Sequence, residues 1–309
     1  MGTVALDHLE TPFAAQSNVL GGSATFLALA ARFFCDDVRL VAAVGGDFPD
    51  AYVDRLREAG IDLEGLQVVP DGETFSWSGR YHFDMNSRDT IETRLGVLAT
   101  FAPRIPERYR DAAIVCLGNL EPGIQADVLA QMSGPRFTVL DTMNYWIERT
   151  PERLRETLAL VDCLIVNDAE ARELSGVPNL IRAAAVIRAM GPRVLVIKKG
   201  EHGALLFTDA GVFVAPAYPL EDLQDPTGAG DMFMGGFAGY LAGQDAVTDS
   251  ALKRAVVYGS VIASFGVEQF GPDRLFTLTH GEIRARMRHF ESLCTIPAPS
   301  EAELLATAG

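Results

Sequence analysis

Residues 225–231, Asp-Pro-Thr-Gly-Ala-Gly-Asp, combine residue types that suit the binding of an anion and the transfer of a proton. Pro226 favours an extended approach, because the residue before a proline is pushed out of the helical region. Gly228 and Gly230 have no Cβ, so their backbone can pass close to a ligand. An apolar segment of helical length follows at 233–241. The sequence therefore predicts a loop leading into a helix N-terminus, where unpaired N–H groups favour an anion.

Asp231 is unusual for a site that only binds an anion, because its carboxylate would repel a phosphate. A carboxylate here can instead take the proton from a hydroxyl group that attacks a phosphoryl group. The N–H groups of Gly228, Ala229, Gly230 and Asp231 would then stabilise the charge that develops on the transferred group. Locally, the same residues also suit a glycine-rich helix start in which Asp231 only interacts with the helix dipole.

The longer pattern Asp-x-Thr-Gly-Ala-Gly-Asp-x-Phe, over residues 225–233, resembles the C-terminal signature of the ribokinase-like (PfkB) carbohydrate kinase family. It fits neither a Walker A loop nor a Rossmann fingerprint, because no Gly-Lys-Ser/Thr follows and a third glycine is missing. The resemblance implies one α/β domain over residues 1–309, with a three-layer α/β/α fold, a central, mostly parallel sheet and a small β-sheet lid. We expect the lid strands near residues 10–20 and 66–96.

The composition is that of a globular protein, with 48% hydrophobic and 22% charged residues. The formal net charge of −15 argues against a nucleic-acid partner, whose phosphates require a basic surface. No apolar run reaches the length of a membrane span, and no signal peptide is evident, so no membrane partner is expected. The five histidines lack the spacing of zinc ligands. The four cysteines lie far apart, which is typical of reduced thiols in a cytoplasmic protein.

Residues 2–7 have the pattern of a short buried strand that reaches a loop at Asp7. The strand begins so close to residue 1 that either it is short or the start of the chain is incomplete. On local sequence, Asp7 could be a simple turn residue. In ribokinase-like enzymes, however, an aspartate at this place binds substrate hydroxyls. A carboxylate is well suited to accept hydrogen bonds from a vicinal diol.

Gly21 and Gly22 precede an apolar segment that predicts a helix through Ala31. They resemble the family's N-terminal glycine pair, which contacts the sugar. Ser23 and Phe26 stand where ribokinases have a lysine and an asparagine. This departure favours an acceptor other than ribose and a less polar pocket.

Strands and helices alternate from residue 113 to residue 198, which predicts a parallel sheet covered by helices. In such a sheet, ligands bind at the carboxyl ends of the strands. Polar residues follow three of the predicted strands and are expected to share one edge with residues 225–231: Asn119, Glu121, Asp141, Asn144, Asn167 and Glu170.

Asn167 and Glu170 resemble the family's Asn-x-x-Glu motif, which places Mg²⁺ and the phosphates through water. Mg²⁺ keeps several waters and takes few direct protein ligands, so this chemistry is consistent with the motif. The same two residues also suit an ordinary helix cap. Glu121 lies where ribokinases have a sugar-binding glutamate, and the resemblance implies the same role here.

Lys198 ends a predicted strand and is followed by a turn that contains Gly200 and Gly203. The family binds nucleotide phosphate or ribose around this turn, and Lys198 could neutralise a phosphate as a point charge. It could equally be a solvated charge. The resemblance adds Thr227, Gly228 and Gly230 to the nucleotide contacts.

Residues 66–95 alternate apolar and polar residues, with aromatic side chains at Phe75, Trp77, Tyr81 and Phe83. This aromatic face could pack on the main domain, pair with the lid of a second subunit in a homodimer, or contact a ligand ring. A ligand ring would suit a nucleoside kinase, and Phe26 would suit a stacked base.

The resemblance as a whole implies an ATP-dependent phosphotransferase that acts on a primary hydroxyl of a small sugar or sugar-like substrate, with Asp231 as the general base. Its cofactors would be ATP and Mg²⁺, and many members also hold a monovalent cation such as K⁺, here near Asp225. Two alternatives stay open: a nucleoside kinase of the same fold, and a catalytically inactive sugar-binding regulator.

Overall fold

The computed structural model describes residues 1–295. Residues 296–309, which the predicted domain includes, lie outside the described part. The strands are β1 (Ala5–Glu10), β2 (Ala15–Gly21), β3 (Val38–Gly45), β4 (Ile61–Val69), β5 (Ser76–Tyr81), β6 (Arg88–Arg94), β7 (Ile114–Leu117), β8 (Phe137–Asp141), β9 (Cys163–Asn167), β10 (Val194–Lys198), β11 (Ala204–Thr208) and β12 (Gly211–Ala215).

The helices alternate with these strands as the sequence predicts. They are α1 (Ser23–Ala31), α2 (Asp50–Glu58), α3 (Pro122–Ala130), α4 (Asn144–Arg149), α5 (Pro151–Leu158), α6 (Asp168–Ser175), α7 (Leu180–Arg188), α8 (Ala229–Ala242), α9 (Asp249–Gly266), α10 (Asp273–Thr277) and α11 (His280–Cys294). Within residues 1–295, no helix has the length and apolar character needed to cross a membrane.

The central sheet has the order β12-β11-β10-β9-β8-β7. β7 to β10 are parallel, and β11 and β12 pair antiparallel at one edge. Side chains along β10 alternate between two cores, because successive residues of a strand point to opposite faces. Leu195 and Ile197 pack towards α5, α6 and α7, and Val194 and Val196 pack towards α8 and α9. This is the predicted three-layer α/β/α arrangement.

β3 and β4 form a separate parallel pair beside β7. The first residues of the chain lie between these two units. Gly2 N donates to the Val41 carbonyl of β3 at 3.2 Å, and Gly118 N, just beyond β7, donates to the Met1 carbonyl at 2.8 Å. Residues 1 and 2 therefore link the pair to the central sheet.

The lid is a four-stranded sheet with the order β2-β1-β5-β6. Two expectations about it are wrong. Asp7 lies within β1, paired opposite Val19 of β2, rather than in a loop that follows a strand. Residues 66–69 belong to β4, which pairs with β3, so they are not part of the lid. Both errors have one cause, because strand pairing is a long-range property that local alternation does not reveal.

α1 and α8 pack closely along glycines, which sets the position of the α8 N-terminus. A Cβ on Gly235 would lie 2.3 Å from the Leu27 carbonyl oxygen and 2.6 Å from Ala30 Cβ. A Cβ on Gly239 would lie 2.7 Å from the Ala31 carbonyl oxygen. The helices can approach this closely only because these side chains are absent.

We expect Gly235→Ala to lower the free energy of unfolding by about 1–3 kcal/mol, because the added methyl group overpacks the α1–α8 contact. Gly281→Ala in α11 is the matched control, since its Cβ would lie 3.7 Å from Thr279 Oγ1, an ordinary van der Waals distance. The control should change stability by no more than about 1 kcal/mol, in the stabilising direction. Equilibrium urea unfolding of both variants tests this, and equal stability losses would contradict it.

Candidate active site

The loop before α8 is held in place by the buried carboxylate of Asp225. Its Oδ1 accepts a hydrogen bond from Thr227 N at 2.9 Å, and its Oδ2 accepts one from Gly271 N at 2.9 Å. Gly228 then adopts φ +75°, a conformation that favours glycine. A Cβ there would also lie 2.4 Å from the Phe26 ring. The expectation that Phe26 could stack on a base is therefore wrong, because its ring is buried beneath this loop.

The first turn of α8 presents fewer free donors than the sequence suggests. The N–H group of Ala229 is already bonded to the Pro226 carbonyl at 3.1 Å. The first regular helical bond runs from Met232 N to the Gly228 carbonyl at 2.8 Å. The N–H groups of Gly230 and Asp231 precede that bond, so they are the helix donors best placed for an anion.

Asp231 lies in the first turn of α8, and its Oδ1 is buried without a hydrogen-bond partner among residues 1–295. Burial and repulsion from Asp141 raise the pKa of Asp231 to about 7, while the positive charge of Lys198 opposes the rise. A buried carboxylate oxygen with no partner is a costly arrangement. Its position at a helix N-terminus is consistent with an oxygen that receives a hydrogen bond from a substrate hydroxyl.

Lys198 faces the same turn. Its Nζ lies 3.7 Å from Asp141 Oδ1, and it would be only 2.5 Å from a Cβ on Gly230. Burial lowers the pKa of Lys198, but attraction from Asp141, Glu170 and Asp231 outweighs that effect, so its pKa lies above the ordinary value. Lys198 is therefore a buried ammonium group beside the first turn of α8, not a solvated surface charge.

Asn167 and Glu170 form a capping box at the start of α6. Glu170 N donates to Asn167 Oδ1 at 2.8 Å, and Asn167 N donates to Glu170 Oε2 at 2.7 Å. Asn167 pairs with Lys198 across the β9–β10 ladder, which brings the cap to the site. Burial, together with repulsion from Asp141, raises the pKa of Glu170 to about 7. The cap and a role near phosphates are thus compatible, because one carboxylate oxygen of Glu170 lies outside the capping box.

Asp7 and the glycine pair form the other end of the site. Trp77 N donates to Asp7 Oδ1 at 3.3 Å, and a Cβ on Gly21 would lie 2.0 Å from Asp7 Oδ2. Gly22 adopts φ +93° and lies against the Thr3 carbonyl. Burial raises the pKa of Asp7 to about 7.

The two ends of the site interact electrostatically. The negative charge of Asp7 contributes to the raised pKa of Asp231. The side chains of Asp7 and Asp231 are therefore close enough to interact through their charges.

Three predicted residues have local structural roles. Glu121 Oε2 accepts a hydrogen bond from Ile124 N at 3.0 Å, so Glu121 caps α3, and its contact with substrate stays a prediction. Gly203 has φ +85°, and a Cβ there would lie 2.0 Å from the Ala215 carbonyl oxygen. Gly200 has φ +54°, and a Cβ there would lie 2.6 Å from the lid residue Asn86. The Lys198–Gly203 turn therefore touches the lid.

The lid also contacts the loop before α8. Thr227 Oγ1 donates a hydrogen bond to the Tyr81 hydroxyl oxygen at 3.1 Å. Burial raises the pKa of Tyr81 to about 12, so it is a neutral phenol at physiological pH. The role of Tyr81 and that of Asp141 beside Lys198 were not predicted. The local signals were the position of Asp141 at the end of a predicted strand and the position of Tyr81 on the aromatic face of the lid, and neither signal names a partner.

The model of the pfkB family of carbohydrate kinases matches residues 12–277. This chain belongs to that family. The pfkB kinases are enzymes that phosphorylate hydroxyl groups, so the alternative of an inactive regulator is set aside. The phosphotransferase prediction is confirmed.

Curated relatives of this pfkB kinase act on different acceptors, according to their names. The chain is 32% identical to the cytidine kinase of Thermococcus kodakarensis, over 79% of this chain and 88% of the relative. It is 30% identical to the nucleoside kinase of Methanothermobacter thermautotrophicus, over 82% and 80%. It is also 30% identical to the ATP-dependent ribose-1-phosphate kinase of Halopiger xanaduensis, over 84% and 85%.

Solved structures share the fold of this pfkB kinase. The Burkholderia thailandensis nucleoside kinase in complex with ADP-inosine matches with a TM-score of 0.75 and 23% identity, and covers 97% of both chains. A putative ribokinase II from E. coli in complex with ATP and Mg²⁺ matches with a TM-score of 0.75 and 21% identity, over 93% of this chain and 97% of that one.

We expect the acceptor turnover of this kinase to rise with pH and to level off above an apparent pKa near 7, because Asp231 must lose its proton to act as a base. Two substitutions should move that midpoint in opposite directions. Lys198→Met removes a charge that lowers the pKa of Asp231, so the midpoint should rise. Asp141→Asn removes a charge that raises it, so the midpoint should fall. Profiles of kcat/KM from pH 5.5 to pH 9 measure this, and unchanged midpoints in both variants would refute it.

Proposed function

We propose that this pfkB kinase transfers the terminal phosphoryl group of MgATP to a primary hydroxyl of a nucleoside. The buried Oδ1 of Asp231, which has no hydrogen-bond partner among residues 1–295, carries the proposal. It can accept the proton of an attacking hydroxyl beside the free N–H groups of the first turn of α8. The names of the cytidine kinase and nucleoside kinase relatives support the choice of acceptor.

The residues at the phosphate end fit MgATP. The N–H groups of Gly230 and Asp231 and the Lys198 ammonium group can together hold phosphate oxygens, and the absence of a Cβ on Gly230 leaves room for Lys198 Nζ beside this turn. Glu170 and Asn167 would hold Mg²⁺ through water, because Mg²⁺ keeps several of its waters and takes few direct protein ligands. When bound, Mg²⁺ neutralises charge on the phosphates.

The acceptor end fits a neutral molecule with a diol and a flat ring. Asp7 can accept hydrogen bonds from two ribose hydroxyls, beside the backbone of Gly21 and Gly22. The indole of Trp77 lies over Gly79, where a Cβ would be 2.0 Å from the ring, so it offers an aromatic surface beside Asp7. The Asp225 charge already raises the pKa of Asp7. A phosphorylated or acidic acceptor would add further repulsion, which favours a nucleoside over a sugar phosphate.

A monovalent cation such as K⁺ is proposed near Asp225. The carboxylate of Asp225 is buried, and backbone amides from two loops donate to it. Burial raises the pKa of Asp225. A cation between the two loops would offset its negative charge and stabilise the loop that leads to Gly228. Carbonyl oxygens of the same loops would supply the other ligands.

Cytoplasmic action is proposed for this enzyme. All four cysteines, Cys35, Cys116, Cys163 and Cys294, are free thiols, which fits a reducing compartment. The supply of ATP to the reaction points to the same compartment.

We expect cytidine, or another nucleoside in a panel with pentoses, hexoses and ribose 1-phosphate, to give the highest kcat/KM with MgATP. Asp231→Asn should lower kcat by about 10²-fold or more, as loss of a general base does.

Trp77→Leu should raise the KM for the nucleoside but leave the weaker turnover of ribose unchanged. Replacement of K⁺ by tetramethylammonium should lower the rate. ADP release measures each effect.

Near-normal turnover by Asp231→Asn would refute the role of Asp231. A sugar as the preferred acceptor, with no effect of Trp77→Leu, would refute the nucleoside assignment and leave the phosphotransferase intact. A rate that does not depend on the monovalent cation would refute the K⁺ site.

A homodimer through the lid is proposed from a set of exposed apolar side chains, which we name the lid patch: Phe13, Phe83, Ile91 and Leu95. Phe83 is 83% exposed and Phe13 is 67% exposed, and their ring centroids lie 6.5 Å apart. Large exposed apolar side chains that lie together, as Phe13 and Phe83 do, commonly mark a surface that contacts another protein.

We expect the wild-type protein to sediment as a dimer and Phe83→Ser to sediment as a monomer. Val214→Ser is the matched control, because Val214 is also exposed but lies on β12, outside the lid. Sedimentation velocity at micromolar concentration distinguishes the species. A monomeric wild type, or an equal effect of Val214→Ser, would contradict the proposal.

A further inference from the structure

The hairpin of β5 and β6 has two faces. Its inner face is directed towards the site, and its outer face is directed away from it. Tyr81 and Trp77 share the inner face, because residues two or four apart on a strand point the same way. Arg88 is the cross-strand partner of Tyr81, so its side chain emerges on the same inner face. The hydrogen bond from Trp77 Nε1 to Thr90 Oγ1, at 3.2 Å, is consistent with this assignment.

Two contacts hold this end of the hairpin over the phosphate end of the site. Tyr81 is bonded to Thr227 at 3.1 Å, three residues before Gly230. Asn86, in the turn between the strands, donates to Glu201 Oε1 at 3.4 Å and lies against Gly200. Arg88 lies next to both contacts in the hairpin. Its backbone is therefore fixed between the loop that leads to Asp231 and the turn that follows Lys198.

Arg88 differs from other arginines of the lid in its partners. Arg80 pairs with Glu10, and Arg94 pairs with Glu92, whereas Arg88 forms no salt bridge within residues 1–295. Its guanidinium lies 5.8 Å from the centroid of the Trp77 ring. The positive charge of Arg88 lowers the pKa of both Asp231 and Glu170, so its field reaches the site. An unpaired cation of this kind is available for an anionic ligand.

We propose that Arg88 is a further catalytic residue, which the closed lid brings against the phosphoryl group in transfer. The inference rests on the proposed transfer from ATP but not on the identity of the acceptor. In the reaction, the acceptor oxygen bonds to the γ-phosphorus as its proton passes to Asp231. The bond from the γ-phosphorus to the β,γ-bridging oxygen breaks, and its electron pair leaves on ADP.

Negative charge is shared by the oxygens of the transferred group during this step, and a guanidinium fork can contact two of them at once. Lys198 and the α8 donors approach from the main domain, whereas Arg88 approaches from the lid. The complete set of positive groups is thus assembled only when the lid is closed. This arrangement would restrain transfer to water while the lid is open.

The test compares Arg88→Gln and Arg88→Lys with Arg80→Gln. Arg80 is the matched control, because it lies in the same hairpin, on the outer face, and its exposed pair with Glu10 should contribute little to stability. The assay uses whichever acceptor the wild-type enzyme phosphorylates best. A second measurement compares the affinity of each protein for MgADP with and without aluminium fluoride, which mimics the group in transfer.

We expect Arg88→Gln to lower kcat by about 10²–10³-fold, as loss of a preorganised transition-state contact does, with the acceptor KM changed by less than about threefold. Arg88→Lys should be intermediate, because lysine keeps the charge but loses the fork. Arg80→Gln should match the wild type. Arg88→Gln should also bind MgADP normally but lose most of the tightening caused by aluminium fluoride.

Three results would overturn the proposal. They are a kcat within threefold of wild type in Arg88→Gln, an equal loss in Arg80→Gln, and a rise in acceptor KM with kcat unchanged. A rise in KM alone would mean that Arg88 binds the acceptor substrate and takes no part in phosphoryl transfer. The aluminium fluoride measurement decides the matter even if no tested acceptor is phosphorylated, so failure of the nucleoside assignment can be told apart from failure of this proposal.

Discussion

The balance between the Lys198 ammonium group and the carboxylates around it is the interaction on which this site depends. Asp141, Glu170 and Asp231 all act on Lys198, and burial raises the pKa of each of these acids. For Asp7, a pKa of about 7 instead of 3.8 makes folding less favourable by about 4 kcal/mol above pH 7. That penalty disappears below about pH 4, where the carboxyl group is protonated in both folded and unfolded states. Burial has a benefit for Asp231, the proposed base, whose pKa is also about 7. A base with this pKa is well matched to proton transfer at physiological pH.

Regular structure holds these unfavourable groups in position. Lys198 and Asn167 are partners in the β10–β9 ladder, and Asp141 ends the next strand. Asp231 lies on α8, whose position is set by close contact of Gly235 with α1. The proposed catalytic groups therefore belong to strands and a helix whose other residues fill the buried cores. Such support allows the site to keep Asp231 Oδ1 buried without a hydrogen-bond partner from the part of the chain that the structure describes, whereas a flexible loop would expose this oxygen to water.

The sequence predicts the parts of this site that depend on local chemistry. Gly228, Gly230 and Asp231 were assigned from one run of residues, and the alternation of strands and helices revealed the layered fold. Interactions between distant segments were not predictable in this way. Phe26 is buried beneath Gly228 because two segments about 200 residues apart pack together. The pairing of Tyr81 with Arg88, which brings both residues to the inner face of the lid, depends on strand register. The sequence places Asp7 in the site, but the pairing of Asp7 with Val19 in the lid sheet is visible only in the structure.

The position of Asp7 in the lid sheet links the lid to the binding of the acceptor. Asp7 is on β1 and accepts a hydrogen bond from the Trp77 amide of β5. The residue that is proposed to bind the acceptor is therefore part of the lid sheet itself. The hydrogen bond between Thr227 and Tyr81 joins this sheet to the loop before Asp231. Burial is the main cause of the raised pKa of Asp231, so water entering an opened site would lower that pKa and weaken the base. Closure of the lid would then place the acceptor and strengthen the base that deprotonates it in a single movement.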